Sequence, residues 1–334
     1  MRTPTNLLTG FLGVGKTTAI LNLLSKKPPE EKWAVLVNEF GEVGIDGAIL
    51  EGGSPEGVIV REVGGGCFCC TTAPYLPVAL HFLFTDTKPD RLLIETSGLG
   101  HPSGIIDTLR ANYSDRLELR ATIGIVAPAD FACDGMLENP VFRDQIQMAD
   151  VLILNKMEQA TSQLIQDYQT WAENLFPPKL LIAATSQGNI ATEWLDLSGS
   201  QEQLQMLTQL PTVQTHSGKH NFEIRNHKLP ARYVSTISGR EFSACGWVFH
   251  HDDVFDEEQL LALFASHDEI TRLKGVFHVQ HEWVIINRVG KEVTVSVTAY
   301  RRDSRLEIFT ENSMNMWDEF ESELLACRMS IALS

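Results

Sequence analysis

The sequence predicts an α/β unit on a parallel sheet with helices on both faces, followed by a smaller α+β unit on an antiparallel sheet. Three observations carry that expectation. In the first half, short unbroken apolar runs alternate with stretches of helical period, as strands buried on both faces and joined by crossover helices require. Past residue 231 the rhythm changes to closely spaced strands. Between the two, the chain dissolves into Ser, Gln, Gly and His, "SGSQEQLQMLTQLPTVQTHSGKHNFEIRNHKLP". The expected division is therefore 1–196 for the first unit, 197–230 for a linker and 231–334 for the second unit.

In order along the chain, apolar runs at 5–8, 33–37, 91–94, 122–126, 151–154 and 180–183 predict parallel strands. "TTAILNLLSKK", between the first two, has helical spacing and must stop before Pro28 and Pro29, which cannot continue a helix. In the second unit "YVSTIS", "ACGWVFH", "GVFHVQ", "EWVIINRVG", "EVTVSVTAY" and "RLEIF" predict strands. "DEEQLLALFASH" and "SMNMWDEFESELLACR" predict helices among and after them.

With 334 residues, 43% of them hydrophobic, the chain can bury two full cores. The net charge of −16, with no basic run to offset it locally, repels phosphate backbones and excludes nucleic acid as a partner. Glycines and a lysine interrupt the apolar N-terminal stretch before it could act as a signal peptide, and no run approaches the roughly 18 apolar residues of a membrane span. A cytoplasmic chain without a membrane partner is expected. There, clustered cysteines more often bind metal or do chemistry than form disulfides. Nothing in the sequence sets the oligomeric state, and a homo-oligomer stays open.

"GFLGVGKTT", residues 10–18, fits G-x-x-x-x-G-K-[ST] with a strand ahead and a helix behind. The backbone of Gly10, Gly13, Val14, Gly15 and Thr18 would cradle phosphates, Lys16 would reach the β/γ oxygens and Thr17 would hold Mg²⁺. "LLIETSGLG" ends a strand on Glu95, a second Mg²⁺ ligand, and Gly98 lets the backbone approach the γ-phosphate. Lys16 and Glu95 are thus the catalytic candidates. "VLILNKME" resembles the N-K-x-D guanine-reading motif through Asn155, Lys156 and Glu158. Its acid is one methylene longer than Asp, which shifts a paired hydrogen bond and weakens guanine selectivity. "AATSQG", residues 183–188, follows the next strand and is a candidate for backbone contacts to the base.

"GGGCFCC", residues 64–70, gathers three of the chain's six cysteines. Thiolates at Cys67, Cys69 and Cys70 suit Zn²⁺, with Cu(I) the main competitor, and the glycines let the loop aim them at one ion. Buried small hydrophobes or a redox dithiol are the other readings of the same residues. His216 and His220 stand four apart in the linker, as solvated residues or an auxiliary metal tract; His250 and His251 are expected at a turn after a strand. His101, just beyond "ETSGLG", falls near the γ-phosphate segment.

The P-loop, "VNEFGEVGIDG" at 37–47 and the C-x-C-C loop, taken together, resemble the CobW-type branch of the P-loop GTPases, a metal-handling group. The resemblance runs along nearly the whole chain, and the region around "RLKGVFH" is similar to that family's smaller C-terminal domain. It implies a P-loop NTPase sheet in the first unit. It also implies that Glu39 lies in a nucleotide-responsive switch near Mg²⁺ and that Glu42 approaches a transferred metal together with Cys69. Some relatives carry an acid where this chain has Val37, which leaves the thiolate loop as the stronger metal candidate. The function implied is a GTPase with low basal turnover that uses Mg²⁺, alternates between GTP and GDP, and passes zinc to a zinc-dependent client protein. Two other functions fit the residues: a nucleotide-bound zinc buffer or sensor, and a P-loop ATPase or kinase with structural zinc.

Overall fold

A computed structural model of the chain describes residues 2–37, 57–62, 75–197, 220–225, 230–237, 242–280, 282–310 and 317–329. The chain divides into two compact units, 1–199 and 200–334.

The first unit is a parallel sheet of β1 (Thr3–Thr9), β2 (Trp33–Val37), β3 (Val58–Glu62), β4 (Arg91–Glu95), β5 (Leu117–Leu119), β6 (Ile123–Val126), β7 (Val151–Leu154) and β8 (Leu181–Ala184). Their order is β3-β2-β4-β1-β6-β7-β8, with β5 beside the start of β1. Every residue of β2, β4, β6 and β7 is buried, which explains why these strands read as unbroken apolar runs.

Helices α1 (Lys16–Ser25), α2 (Tyr75–Phe82), α3 (Ser103–Tyr113), α4 (Pro128–Phe131), α5 (Pro140–Met148) and α6 (Ser162–Glu173) join the strands. On one face Ala19, Ile20, Leu23 and Leu24 of α1 pack on Leu8, Val35, Ile125 and Ile153. On the other, Phe142 and Ile146 of α5 and Tyr168 and Ala172 of α6 pack on Val126, Leu152 and Leu154. Ile153 faces one layer and Leu152 and Leu154 the other, the period-2 alternation of a strand between two helical layers. Two caps set helix starts: Asn139 Oδ1 accepts from the amides of Val141 and Phe142, with Pro140 at the first helical position, and Thr161 Oγ1 accepts from Leu164 N–H.

Strand order places β1 between β4 and β6, so the chain turns to one side of β1 through β2 and to the other through β6. In such sheets ligands bind beyond the carboxyl ends of the strands at this reversal. The glycine-rich loop leaves β1 there.

The second unit is an antiparallel sheet of β9 (His220–Arg225), β10 (Ala231–Ile237), β11 (Phe242–Phe249), β12 (Ile270–Val279), β13 (Glu282–Val289), β14 (Glu292–Val297) and β15 (Ser304–Thr310), ordered β14-β13-β12-β15-β11-β10-β9. Helices α7 (Glu257–Ser266) and α8 (Trp317–Ala326) cover one face, where Leu260 and Phe264 of α7 and Phe320 and Leu324 of α8 meet Trp247, Phe277, Ile286 and Ile308 of the sheet.

The structure departs from the sequence reading in three strands. β9 lies inside the stretch expected to be linker and pairs with β10 from Arg225↔Arg232 to His220↔Ile237. Its polar composition hid an edge strand, where alternate residues need no apolar partner. β3 and β5 were also unforeseen. β3 is a five-residue edge strand ahead of the glycine run, and β5 spans three residues.

Candidate nucleotide and metal site

The phosphate loop joins Thr9, at the end of β1, to α1. Gly15 caps α1 at φ +98°, and a Cβ there would come within 2.6 Å of Asn155 Nδ2, so both backbone and space demand glycine. The backbone amides of the first turn of α1 thus follow a loop with glycine at 10, 13 and 15, the pattern of an anion cradle. Val14 is fully buried and anchors the loop in the core. Lys16 is buried, and its ammonium donates to the carbonyls of Gly10 at 3.0 Å and Phe11 at 3.2 Å. Those contacts fold the lysine over its own loop, where a phosphate would compete for it.

Thr17 Oγ1 donates to Glu95 Oε1 at 3.0 Å. Glu95 ends β4, in register with Leu8 on one side and Val37 on the other, and is fully buried. A hydroxyl and a buried carboxylate converging beyond two adjacent strands form the hard oxygen set that fits Mg²⁺. Gly98 lies against the phosphate loop: a Cβ on it would meet Leu12 N at 2.9 Å and Leu12 Cδ2 at 2.6 Å. Glycine therefore brings the 97–100 segment into direct contact with the cradle.

Asn155, at the end of β7, is buried and ties two loops together. Its amide donates to Val14 O at 2.9 Å, and its Oδ1 accepts from Gly188 N–H at 2.9 Å. These two bonds tether the phosphate loop to the "TSQG" segment after β8. Gly188, at φ +66°, sits against α1, where a Cβ would lie 2.7 Å from Ala19 Cα. Lys156 adopts a left-handed conformation at φ +60° and is half-buried, and Glu158 is exposed on the short 3₁₀ turn Met157–Gln159. The residues expected to read a base thus stand at the same end of the sheet as the cradle.

Three residues of this region escaped the sequence reading. Gln145 of α5, buried, donates to the carbonyls of Gly98 at 3.1 Å and Gly100 at 3.3 Å, and holds the segment expected to meet the γ-phosphate. Asp144 beside it pairs with His101 Nδ1, so two adjacent residues of α5 grip that segment. Asp130 of α4 is half-buried; burial pushes its carboxyl above the usual range, and the Ala127 amide together with the charges of Lys156 and Lys16 offsets part of that rise. None belongs to a motif. Their roles follow from strand order, which brings the segment after β6 to the edge of the cradle.

The metal candidates Glu39, Glu42, Cys67, Cys69, Cys70 and His216 lie outside the described residues, and so does the side chain of His220. The other three cysteines are placed: Cys133 is exposed, while Cys245 and Cys327 are buried. Burial raises the thiols of Cys245 and Cys327, as in cysteines that serve packing. His250 and His251 lie in the turn after β11, as expected. No helix among the described residues is long and apolar enough to cross a membrane.

The fold and the cradle together define a nucleotide-binding protein of the P-loop class. Residues 4–181 match the family described as "CobW/HypB/UreG, nucleotide-binding domain", and 244–328 match "Cobalamin synthesis protein cobW C-terminal domain". The chain belongs to the CobW/HypB/UreG family. It is 39% identical over 337 residues to the zinc chaperone YeiR of Escherichia coli K12, covering 98% of this chain and 99% of that protein. It is 33% identical over 183 residues to the zinc chaperone CobW of a Sinorhizobium species, covering 46% of this chain and 51% of that one. Over 161 residues it is also 33% identical to the E. coli zinc chaperone YjiA, covering 46% and 49% of the two chains.

Proposed function

We propose that this chain is a zinc chaperone GTPase: it binds Mg²⁺·GTP in the phosphate cradle and zinc through Cys67, Cys69, Cys70 and Glu42, and hydrolysis to GDP passes the zinc to a client protein. The observation that carries the reading is the common end of the parallel strands. β2 and β3 end on the same side of the sheet as β1 and β4, and Val37 is in register with Glu95. The chain that carries Glu39 and Glu42 therefore departs beside Glu95, and the chain that carries the three thiols departs from β3, three strands over from β1, or roughly 14 Å at about 4.8 Å per strand. The names of the similar zinc chaperones and the donor chemistry of three thiolates support zinc as the cargo.

In this reading Lys16 leaves the Gly10 and Phe11 carbonyls and neutralises the β/γ oxygens, while backbone amides at the start of α1 hold the phosphates. Thr17 and Glu95 would hold Mg²⁺, which would supply charge neutralisation to the phosphates. Gly98 offers its backbone to the γ-phosphate, with Gln145 fixing the segment from behind. The cradle needs no strong general base, so basal turnover is slow. Asn155, Lys156 and Glu158 favour guanine, with Glu158 supplying a carboxylate to the base. GTP turnover measured with and without zinc tests the proposal: zinc-dependent hydrolysis with zinc released on turnover supports it, and zinc binding with no response to nucleotide refutes it.

A further inference from the structure

Among the described residues, one group of side chains outside the nucleotide site brings its donor atoms together as metal ligands do. β11 ends at Phe249, and His250, His251 and Asp252 follow in a turn, offering three donor atoms within 4.8 Å of one another. His250 Nδ1 lies 3.3 Å from one Asp252 carboxylate oxygen, and His251 Nε2 lies 3.1 Å from the other. Ligands bound to zinc at about 2.0–2.1 Å in a tetrahedron stand roughly 3.3 Å apart, so each imidazole nitrogen stands near that spacing from one of the two carboxylate oxygens, and modest side-chain rotation would bring the three donors to one ion. The two rings lie beside each other, with centroids 4.0 Å apart and planes tilted by 38°.

Hydrogen bonding assigns the nitrogen. The Asp252 amide N–H donates to His250 Nδ1 at 3.3 Å, using the lone pair through which an imidazole binds metal. The long amide contact would be exchanged for the metal bond.

The turn is held from outside the cluster. Asp253 accepts from His250 N–H at 3.0 Å and pairs with Arg328 at 2.7 Å, so its charge is committed elsewhere. His278 Nδ1 contacts the His251 carbonyl at 3.1 Å, and its ring stacks on Trp283 at 4.9 Å with a 3° tilt. Phe249 before the turn and Phe255 after it are fully buried. Such outer contacts keep ligands oriented before the ion arrives.

We propose that His250, His251 and Asp252 form a second divalent-cation site, of the two-imidazole, one-carboxylate type, which by donor chemistry takes zinc. With the side chains of His250 and Asp252 exposed by 51% and 71%, the fourth position faces solvent. Three ligands and an open position make a weaker, faster-exchanging site than a closed thiolate set. The assignment stands whether or not the C-x-C-C loop carries zinc, because it uses none of that loop's residues.

The test uses the full chain in three forms. The first carries Cys67→Ser, Cys69→Ser and Cys70→Ser; the second carries His250→Ala and His251→Ala; the third combines them. Each is titrated with Zn²⁺ against a chromophoric chelator and with Co²⁺ by absorption. The first form should keep one zinc equivalent with no thiolate charge-transfer band, and the combined form should bind that equivalent at least tenfold more weakly. Asp252→Asn in the first form should weaken it in the same direction, which guards against a disturbed turn in the double variant. The second form should keep the thiolate band, and loss of that band would bear on the C-x-C-C reading alone. A first form that binds no zinc, or a combined form that binds it as tightly as the first, overturns the site.

Discussion

The two units solve opposite problems with their sheets. In the first, central strands are buried on both faces, so side chains along them serve packing and the chemistry is confined to the strand ends, where Glu95, Asn155 and the loop after β1 meet. In the second, one face carries two helices, and β14 at the edge is exposed along its whole length, with Val293, Val295 and Val297 in the open. Here a turn after β11 carries the candidate chemistry. The lesson is that a buried parallel sheet concentrates function at one end, while a half-covered antiparallel sheet leaves it to turns and edges.

The sharpest way to break the comparison is to disable one unit and measure the other. Phe320 is fully buried, 5.3 Å from the Trp247 ring and 5.0 Å from the His267 ring. Phe320→Ala should cost the second unit about 3–5 kcal/mol in denaturant unfolding, through lost burial and a cavity. Nucleotide affinity measured below the unfolding transition should stay unchanged, because the cradle is built wholly within the first unit. Loss of GTP binding alongside would show that the two units are not independent.

Lys16→Ala tests the other side. Removing the point charge from the β/γ-phosphates should slow GTP turnover by about 10²–10³-fold, or roughly 2.7–4 kcal/mol, with the unfolding midpoint of the second unit unmoved. Unchanged turnover at saturating GTP would remove Lys16 from the mechanism. A smaller effect is expected at the base-reading end. Glu158→Ala should remove a charge-assisted pair worth about 1.5–3 kcal/mol and narrow the preference for GTP over ATP in competition binding.

Much of this was legible in the sequence because it is local. The bounds of β2 and β7 follow from unbroken apolar runs, and the cradle follows from a motif whose glycines have backbone reasons to be there. What depends on strand order was not legible. Gln145 reaches Gly98 only because the helix before β7 lies beside the loop after β4, and Asp130 nears Lys16 only because β6 adjoins β1. β9 stayed hidden because an edge strand needs no apolar pattern, and the motif around Asn155 gave no sign that its amide also joins two loops.

The smallest expected effect concerns pH. His267, at the end of α7, sits between Glu269 at 2.6 Å and Glu323 of α8 at 2.9 Å. Burial lowers its pKa, but hydrogen bonds to both carboxylates more than offset this, and the net shift is upward from 6.5. The stabilisation is therefore fully present below the unfolded value and is lost as pH rises through the higher folded value. Glu269 is shifted the other way: burial raises it, but the His267 hydrogen bond and nearby charges bring it below 4.5, so its contribution is lost as pH falls through that lower value. The second unit should be most resistant to urea between the two limits, and His267→Gln should flatten the alkaline side of the profile. An unaltered alkaline limb in that variant would remove the triad from the account.

The central claim is that nucleotide state and zinc affinity are linked, through segments that leave the sheet beside Glu95. Linkage runs both ways, and couplings of this kind are typically about 5–150-fold. The most direct measurement is a zinc titration of the full chain carrying His250→Ala and His251→Ala, loaded in turn with GDP and with a non-hydrolysable GTP analogue plus Mg²⁺. The account predicts zinc affinities that differ by at least fivefold between the two states, with a matching change in relative nucleotide affinity when zinc is bound. Equal zinc affinities in both states would contradict it and leave the thiolate loop a passive zinc site.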